Sequence, residues 1–178
     1  ITTGQGGAIV TNSEEMYGKL KKLKDFLRIK PGVDIHTGIG YNFKFTDIQA
    51  VIGIEQIKTM DFRIKRKKEI YEQFQHELSN IPQIKMIKTD LNQTVPWFMD
   101  ILVENDSRDE LINYLKSNNI GSRVFYPPIH TQEPYSYYKG DYQVSNEISK
   151  KGMWLPSSIG LEQEEINSIV NKIKSFFR

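Results

Sequence analysis

The pattern of apolar and polar positions predicts five α-helices. In the clearest of them, apolar residues recur three or four positions apart, which places them on one face of a helix. The predicted helices cover residues 14–27, 46–81, 107–117, 145–153 and 162–177. Thr46 with Gln49, and Ser107 with Glu110, have the capping-box spacing that is typical of a helix start.

Short runs of β-branched and aromatic residues predict strands between the helices. The predicted strands are residues 8–11, 84–87, 97–103 and 123–126. Alternation along the last strand would point Arg123 and Phe125 to one side and Val124 and Tyr126 to the other. Because strands and helices are mixed after residue 82, the C-terminal part is predicted to be α/β or α+β.

The predicted helix over residues 46–81 is far longer than the average of about 11–12 residues. A helix of that length often joins two lobes, or bends where one lobe ends. We therefore predict a domain boundary near residues 61–63, which divides the chain into residues 1–61 and 62–178. Residues 28–40 contain Pro31 and several glycines, and they are predicted to form an irregular loop.

Composition excludes several classes of protein. The 178 residues are 38% hydrophobic and 26% charged, which is typical of a globular protein. With 24 basic and 22 acidic residues the net charge is +2, which argues against a dedicated nucleic-acid-binding protein. The absence of cysteine excludes disulfides, thiolate metal sites and a cysteine nucleophile. No apolar run reaches the ~20 residues that span a membrane, and the histidines are not spaced as metal ligands.

Two segments within residues 1–61 have features of an anion-binding site. The glycine-rich turn at residues 4–7 could bring backbone N–H groups close to a phosphate, although the motif alone favours a plain tight turn. Residues 38–45 place the Asn42 amide and the Lys44 ammonium group beside a predicted helix N-terminus, whose free N–H groups attract anions. The alternative is that Asn42 stabilises a turn and that Lys44 is solvated.

A third segment combines Arg123, Tyr126 and His130 with two prolines. Pro127 and Pro128 restrict the backbone of the loop that presents His130, and rigid loops with such side chains often form the walls of binding sites. The alternative is that Tyr126 and His130 are packing groups of a half-buried surface. The residues by themselves leave both explanations open.

These three segments occur in the same order in a known family. The chain resembles the DegT-type sugar-nucleotide aminotransferases, which are fold-type I pyridoxal phosphate enzymes. The matching residues are 1–12, 40–44, 46–50 with Gly53, and Arg123 with 126–130. The resemblance implies an α/β fold like that of aspartate aminotransferase. Residues 1–61 would be the end of the large cofactor domain, and residues 62–178 would be the small C-terminal domain.

The resemblance also implies roles for individual residues. Asn42 matches an asparagine that reaches the cofactor phosphate of the other subunit of a homodimer, and Lys44 stands where many members have arginine. Gly4, Gly6 and Gly7 match the turn whose backbone gives clearance near the cofactor. The residues that match the sugar-nucleotide pocket are Arg123, Tyr126 and His130.

The implied reaction moves an amino group from glutamate to a keto-deoxy sugar nucleotide, with pyridoxal 5′-phosphate as cofactor. It would take place in the cytoplasm and supply surface glycans such as O-antigen. Residues 95–98 and 126–132 most resemble the branch that forms the 4-amino sugar perosamine on a GDP carrier. In the family, the lysine that binds the cofactor covalently lies two positions before the residue that matches Ile1. We therefore expect the chain to be the C-terminal part of a longer protein, with no catalytic residue within it.

Two other functions remain open at this stage. One is a pyridoxal phosphate-dependent sugar 3-dehydratase, which shares the scaffold and has histidine in place of the cofactor-binding lysine. The other is a non-catalytic binding module, which would be a stable monomer of these residues. The predicted strand at residues 8–11 argues against the module, because the edges of a strand need neighbouring strands.

Overall fold

Six α-helices and four short β-strands form in the computed structural model, which describes residues 1–178. The helices are α1 (Glu14–Leu23), α2 (Asp47–Lys58), α3 (Met60–Leu78), α4 (Arg108–Ser117), α5 (Gln143–Lys151) and α6 (Gln163–Phe176). The strands are β1 (Ile84–Met86), β2 (Met99–Val103), β3 (Arg123–Val124) and β4 (Gly152–Leu155). The chain divides into two units, Ile1–Asp61 and Phe62–Arg178. None of the helices has the length and hydropathy needed to cross a bilayer.

The second unit is built on an antiparallel sheet with the strand order β1-β2-β4-β3. Side chains alternate along β2, so Met99, Ile101 and Val103 point into the core and are fully buried. Buried residues of α3, α4 and α6 form one continuous core with this sheet. The buried residues of α6 belong to the apolar face that their spacing predicts: Ile166, Ile169, Val170 and Ile173.

Sequence periodicity does not predict β4, the strand that pairs with β2 on one side and with β3 on the other. Its residues Gly152–Leu155 are all buried, so they form an apolar run without polar alternation. The predicted helix over residues 145–153 is therefore wrong at its end, because α5 stops at Lys151 and Met153 lies in the strand. Periodicity cannot separate an apolar run of this length from the end of a helix.

The predicted helix over residues 46–81 is two helices. α2 ends at Lys58, Thr59 is its C-cap, and α3 begins at Met60. Thr59 has φ −104° and ψ 9°, outside the helical region, and its hydroxyl donates to the Gln56 carbonyl at 3.1 Å. A local side-chain bond of this kind competes with continuation of the helix, which explains the break.

Two predictions between residues 107 and 126 are corrected by the structure. The capping box of α4 does not form, because the Ser107 hydroxyl donates to the Glu104 carbonyl at 3.0 Å and not to the start of the helix. The predicted strand over residues 123–126 stops at Val124, where its paired register with β4 ends. At α2, by contrast, the predicted capping box of Thr46 and Gln49 is present.

The first unit contains α1 and α2 but no strand. The predicted strand at residues 8–11 is wrong, since these residues have no pairing partner and the Val10 side chain is 94% exposed. A strand needs a neighbour for its N–H and C=O groups, and the unit contains only two isolated bridges. α1 ends at Leu23, earlier than predicted, and beyond it Phe26 and Leu27 have left-handed φ values of 58° and 53°.

No side chain of the first unit is buried. Helix α2 is apolar on every side, and its large apolar residues remain exposed. These are Ile48 (77%), Val51 (60%), Ile52 (41%), Ile54 (56%) and Ile57 (57%). A helix that is apolar all round is normally buried, so the exposure of these side chains is unusual.

Candidate cofactor and substrate sites

Backbone hydrogen bonds fix Asn42 beside the end of α1. Asn42 pairs with Asp25 in an isolated antiparallel bridge, and next to it the Phe26 N–H donates to the Tyr41 carbonyl at 3.0 Å. A Cβ on Gly40 would lie 2.4 Å from the backbone carbon of Phe26, so only glycine allows the two segments to approach this closely. The backbone contact between the segments around Phe26 and Gly40 therefore fixes the position of the Asn42 backbone.

The Asn42 amide and the Lys44 ammonium group differ in what they contact. The Asn42 side chain is exposed and has no hydrogen-bond partner within the chain. Lys44 Nζ lies 2.9 Å from Asp25 Oδ1 and 5.3 Å from the centre of the Phe26 ring. The hydrogen bond from Lys44 is the main cause that lowers the pKa of the Asp25 carboxyl below its ordinary value. The charge of Lys44 is therefore already paired, whereas the Asn42 amide is free to bind an anion.

The glycine-rich turn is bonded to the start of α2. Gly4 and Gly6 have positive φ values of 81° and 148°, which favour glycine. A Cβ on Gly6 would lie 2.8 Å from the Phe45 ring, whereas nothing lies within 4 Å of the same position on Gly4. Gln49 donates from Nε2 to the Gln5 carbonyl at 2.7 Å, a contact that its capping-box role did not predict. Packing therefore requires glycine at position 6, and backbone conformation favours it at position 4.

A groove of about 620 Å³ lies between this turn and α2. Residues 1–8 line one side, and Ala50, Gly53, Ile54 and Ile57 line the side formed by α2. No charged side chain lines the groove, so any charge of a ligand bound there would have to be met by other residues.

In the second unit, Arg123 and Tyr126 meet at the ring of Trp154. The Arg123 guanidinium carbon lies 5.1 Å from the centre of the Tyr126 ring and 5.7 Å from that of Trp154. The Tyr126 and Trp154 rings pack edge to face at 5.0 Å. The predicted placement of Arg123 and Tyr126 on opposite faces is wrong, because β3 ends at Val124 and alternation stops there. No carboxylate pairs with Arg123, so its charge is available to an anion.

Trp154 is the residue of this site that sequence reasoning missed, because it lies in the unpredicted strand β4. It is opposite Asp100 in the register of β2 and β4, so the two side chains lie on the same face of the sheet. Burial raises the pKa of Asp100, and the polar indole N–H group of the neighbouring Trp154 opposes this rise. Phe98 stacks on the Trp154 ring at 4.5 Å. These contacts hold the ring in place beneath Arg123.

Phe125 and Tyr126 line a pocket of about 300 Å³ together with Trp154 and residues of α5. Phe125 packs directly over Gly152, where a Cβ would lie 2.1 Å from its ring. From α5, the Ser149 hydroxyl donates to the Tyr126 carbonyl at 3.0 Å. A side chain at position 152 would therefore displace the Phe125 ring and change the shape of this pocket.

His130 lies in a short 3₁₀ turn, Ile129–Thr131, and contacts α5 and the residue before it. Its Nε2 is 3.0 Å from Asn146 Oδ1, and its ring stacks on Tyr142 at 4.3 Å. Neither contact was predicted, because no sequence pattern links positions so far apart. The structure thus brings Arg123 to Tyr126 and bonds His130 to the helix that also holds Tyr126.

Comparison with known proteins classifies the chain. The model of the DegT/DnrJ/EryC1/StrS aminotransferase family matches residues 1–174. The chain belongs to this family. The resemblance inferred from the three sequence segments is thereby confirmed.

Two curated relatives carry names that describe amino-sugar formation. GDP-perosamine synthase of Vibrio cholerae is 33% identical over 99% of this chain and 50% of its own length. The dTDP-4-amino-4,6-dideoxy-D-glucose transaminase of Shigella dysenteriae is 34% identical over 98% of this chain and 49% of its own length. The chain spans about half the length of the curated relatives it matches.

A crystal structure from Bacillus cereus, named as a PLP-dependent aminotransferase, has a similar fold. It matches with a TM-score of 0.80 at 27% identity, covering 91% of this chain and 45% of that one. This match confirms the predicted α/β fold class. Its name also agrees with the cofactor that the sequence resemblance implies.

Proposed function

We propose that the chain is the C-terminal half of a pyridoxal phosphate-dependent aminotransferase. The enzyme moves an amino group from glutamate to a keto-deoxy sugar nucleotide and forms a 4-amino sugar for a surface polysaccharide. Family membership supports the reaction class, and the names of both relatives support a nucleotide-linked sugar as substrate. A GDP carrier is favoured by residues 95–98 and 126–132, which resemble the perosamine branch. The structural observation that carries the proposal is the unpaired guanidinium of Arg123.

In the first unit, the Asn42 amide is the group that fits a cofactor phosphate. Pyridoxal phosphate supplies an electron sink when it is bound. The Asn42 amide has two N–H donors, is exposed and has no partner within the chain, as a ligand of a phosphate oxygen requires. Lys44 is paired with Asp25, so we propose that its role is to hold the loop in place and not to bind the phosphate directly. Gly4 and Gly6 provide the positive φ values of the neighbouring turn.

The second unit provides the substrate-binding residues. A guanidinium group binds the oxygen atoms of a diphosphate in a bidentate manner. Arg123 is held for this purpose over Tyr126 and Trp154, since cation–π contacts restrict its position without neutralising its charge. Tyr126 forms one wall of the adjacent pocket. His130 is the polar side chain that would form a hydrogen bond to the sugar.

We propose a homodimer because of the surface of α2. Apolar side chains remain exposed on all sides of this helix, and a second copy of the chain is the partner that the family resemblance implies. In such a dimer, Asn42 would serve the cofactor of the neighbouring subunit. Sedimentation of the complete enzyme tests this part of the proposal, and a monomer at micromolar concentration would contradict it.

The test of the reaction uses the complete enzyme that contains this chain. Addition of glutamate should change the visible absorbance of the bound cofactor. A GDP-linked 4-keto-6-deoxy sugar should then be aminated faster than its dTDP-linked counterpart. Failure to aminate either sugar nucleotide would contradict the proposal, and loss of a sugar hydroxyl without amination would identify a dehydratase.

The test of the cofactor site compares two asparagine variants of that enzyme. Asn42→Ala should weaken the affinity for pyridoxal phosphate about tenfold or more, the effect of losing a hydrogen bond to a charged group. Asn171→Ala, on the exposed side of α6, is the matched control and should leave the affinity unchanged. Equal affinities in the two variants would exclude Asn42 from the phosphate site.

A further inference from the structure

The imidazole of His130 is held from two directions. Asn146 Oδ1 lies 3.0 Å from Nε2, and the Tyr142 ring stacks on the imidazole with centroids 4.3 Å apart and planes 18° from parallel. The histidine is half-buried, and Pro127 and Pro128 restrict the backbone on its N-terminal side. His130 therefore has a defined ring orientation although it lies between regular elements.

The contact with Asn146 determines which ring nitrogen carries the proton. In the observed orientation the amide oxygen faces the ring and can only accept, so the imidazole donates from Nε2. A neutral imidazole that carries its proton on Nε2 has its lone pair on Nδ1. No group of the chain donates to Nδ1 of His130, so this acceptor is unused within the chain.

The surroundings of His130 indicate which kind of ligand could donate a hydrogen bond to Nδ1. Pro128, two residues earlier, lines the pocket of about 300 Å³, as do Ser145 and Ser149 on the helix that carries Asn146. Tyr126, over which Arg123 lies, also lines this pocket. An acceptor beside a pocket with an available cation suits a ligand that combines an anionic group with hydroxyl donors.

We propose that Asn146 is a positioning residue for His130. It keeps the proton on Nε2 and thereby presents Nδ1 as the acceptor for a hydroxyl of the sugar in the nucleotide substrate. This inference rests on the proposed function, since it names the group of the substrate that His130 recognises. It adds a residue of α5, which none of the three sequence segments contains, to the substrate-binding machinery.

The opposite orientation of the Asn146 amide gives a different chemistry, and one variant separates the two. With the amide nitrogen toward His130, Nε2 would accept and Nδ1 would donate to an oxygen of the substrate. A carboxylate can only accept, so Asn146→Asp preserves the proposed arrangement and destroys the opposite one where the imidazole is neutral. Because a nearby carboxylate favours the imidazolium, in which both nitrogens donate, the variants are compared at alkaline pH.

The kinetic experiment uses the complete enzyme, with Gln143→Ala at the start of α5 as control. Asn146→Ala should raise the KM for the sugar nucleotide about fivefold to tenfold, the effect of one neutral hydrogen bond, with kcat and the KM for glutamate within about twofold. Asn146→Asp should retain the KM within about twofold. Asn146→Ala should have no further effect in a His130→Ala background, because the two residues act as a unit.

A spectroscopic experiment tests the same inference without turnover. A long-range ¹H–¹⁵N correlation spectrum of the enzyme with labelled histidine shows which nitrogen of His130 carries the proton. We expect Nε2–H in the wild type and in Asn146→Asp, and a mixture of both forms in Asn146→Ala. A wild-type proton on Nδ1 would overturn the inference.

The kinetic outcomes separate this inference from the proposed function. An unchanged KM in Asn146→Ala, together with a raised KM in His130→Ala, would overturn the role of Asn146 and leave the proposed function standing. An unchanged KM in His130→Ala would remove His130 from the sugar site and overturn the inference with it. Absence of amino transfer by the wild type would overturn the proposed function, even with the expected histidine spectrum.

Discussion

Lys44 Nζ lies 2.9 Å from Asp25 Oδ1, and this contact joins the two ends of the loop that contains Asn42. Arg28 reaches the same oxygen at 3.3 Å and also contacts Asp34 at 2.8 Å. Four charged side chains thus form one network across the loop. Because the bond from Lys44 is the main cause that lowers the pKa of Asp25, the network depends on an ionised carboxylate.

We predict that Lys44→Met raises the pKa of Asp25 toward its ordinary value, and that Arg28→Met raises it less. Since the folded-state pKa is lowered, the network stabilises the loop fully above the unfolded-state pKa of about 3.9. That stabilisation is lost as the pH falls through the folded-state pKa. A carboxyl ¹³C NMR titration of Asp25 measures both shifts. An unchanged pKa in Lys44→Met would show that the contact does not form in solution.

The same network tests the prediction that Lys44 itself binds the cofactor. Asp25→Asn breaks the ion pair but leaves the ammonium group, whereas Lys44→Met removes both. If Lys44 acts only through the loop, the two variants should weaken the affinity for pyridoxal phosphate to a similar extent. A clearly larger loss in Lys44→Met, measured by titration of the apoenzyme, would show direct binding.

The helices of this fold and three of its four strands, β1, β2 and β3, can be predicted from local sequence, but β4 cannot. The face of α6 that contains Ile166 and Ile173 follows from 3.6-residue periodicity, and β2 follows from its run of apolar and β-branched residues. β4 is buried along its whole length and has no alternation, so only its pairing with β2 and β3 defines it. The pattern at residues 8–11 predicts a strand for which the chain has no partner.

Local sequence likewise indicates only part of the candidate site, because the rest depends on contacts between distant residues. The residue types at Arg123, Tyr126 and His130 indicated a binding surface, and the family match supplied their context. Their contacts with Trp154 and Asn146 depend on where β4 and α5 pack against the 123–130 segment. Such contacts join residues that are distant in sequence, so no motif reports them.

We predict that Arg123→Met raises the KM for the sugar nucleotide about tenfold to a hundredfold, because hydrogen bonds to charged groups contribute about 1.5–3 kcal/mol. Arg123→Lys should recover only part of this loss, since an ammonium group lacks the planar geometry that stacks on Tyr126 and Trp154. Arg178→Met, at the exposed end of the chain, is the matched control. Equal KM values for Arg123→Met and the control would exclude Arg123 from substrate binding.

Gly152→Ala should destabilise the second unit through a direct steric conflict. The new Cβ would lie 2.1 Å from the Phe125 ring, and relief of such overpacking costs about 1–3 kcal/mol. Gly121→Ala is the control, because nothing lies within 4 Å of its Cβ position. Urea unfolding measures both free energies.

A second comparison assigns the cost of Gly152→Ala to Phe125. In a Phe125→Leu background the smaller side chain leaves room for the new methyl group, so Gly152→Ala should cost less than in the wild type. The same cost in both backgrounds would mean that the strain arises from another neighbour. A raised KM for the sugar nucleotide should accompany the loss of stability, because Phe125 lines the pocket.

Lys67 holds together the segments that precede β2 and follow β4. Its ammonium group donates to the Trp97 carbonyl at 2.7 Å and to the Ser157 carbonyl, and burial lowers the pKa of the group. Lys67→Met should lower the free energy of unfolding by about 1–3 kcal/mol, because two carbonyl groups, of which that of Ser157 is partly buried, lose a charged donor.

The control for Lys67→Met is Lys65→Met, whose side chain is 80% exposed and should change the free energy of unfolding by no more than about 0.5 kcal/mol. The Ser157 hydroxyl also donates to the Trp97 carbonyl, at 3.3 Å, so that acceptor retains one partner in the variant. Lys67→Met in a Ser157→Ala background should therefore cost more than in the wild type. Equal stabilities of Lys67→Met and Lys65→Met in urea would show that the two segments are held by their own packing, without the ammonium group.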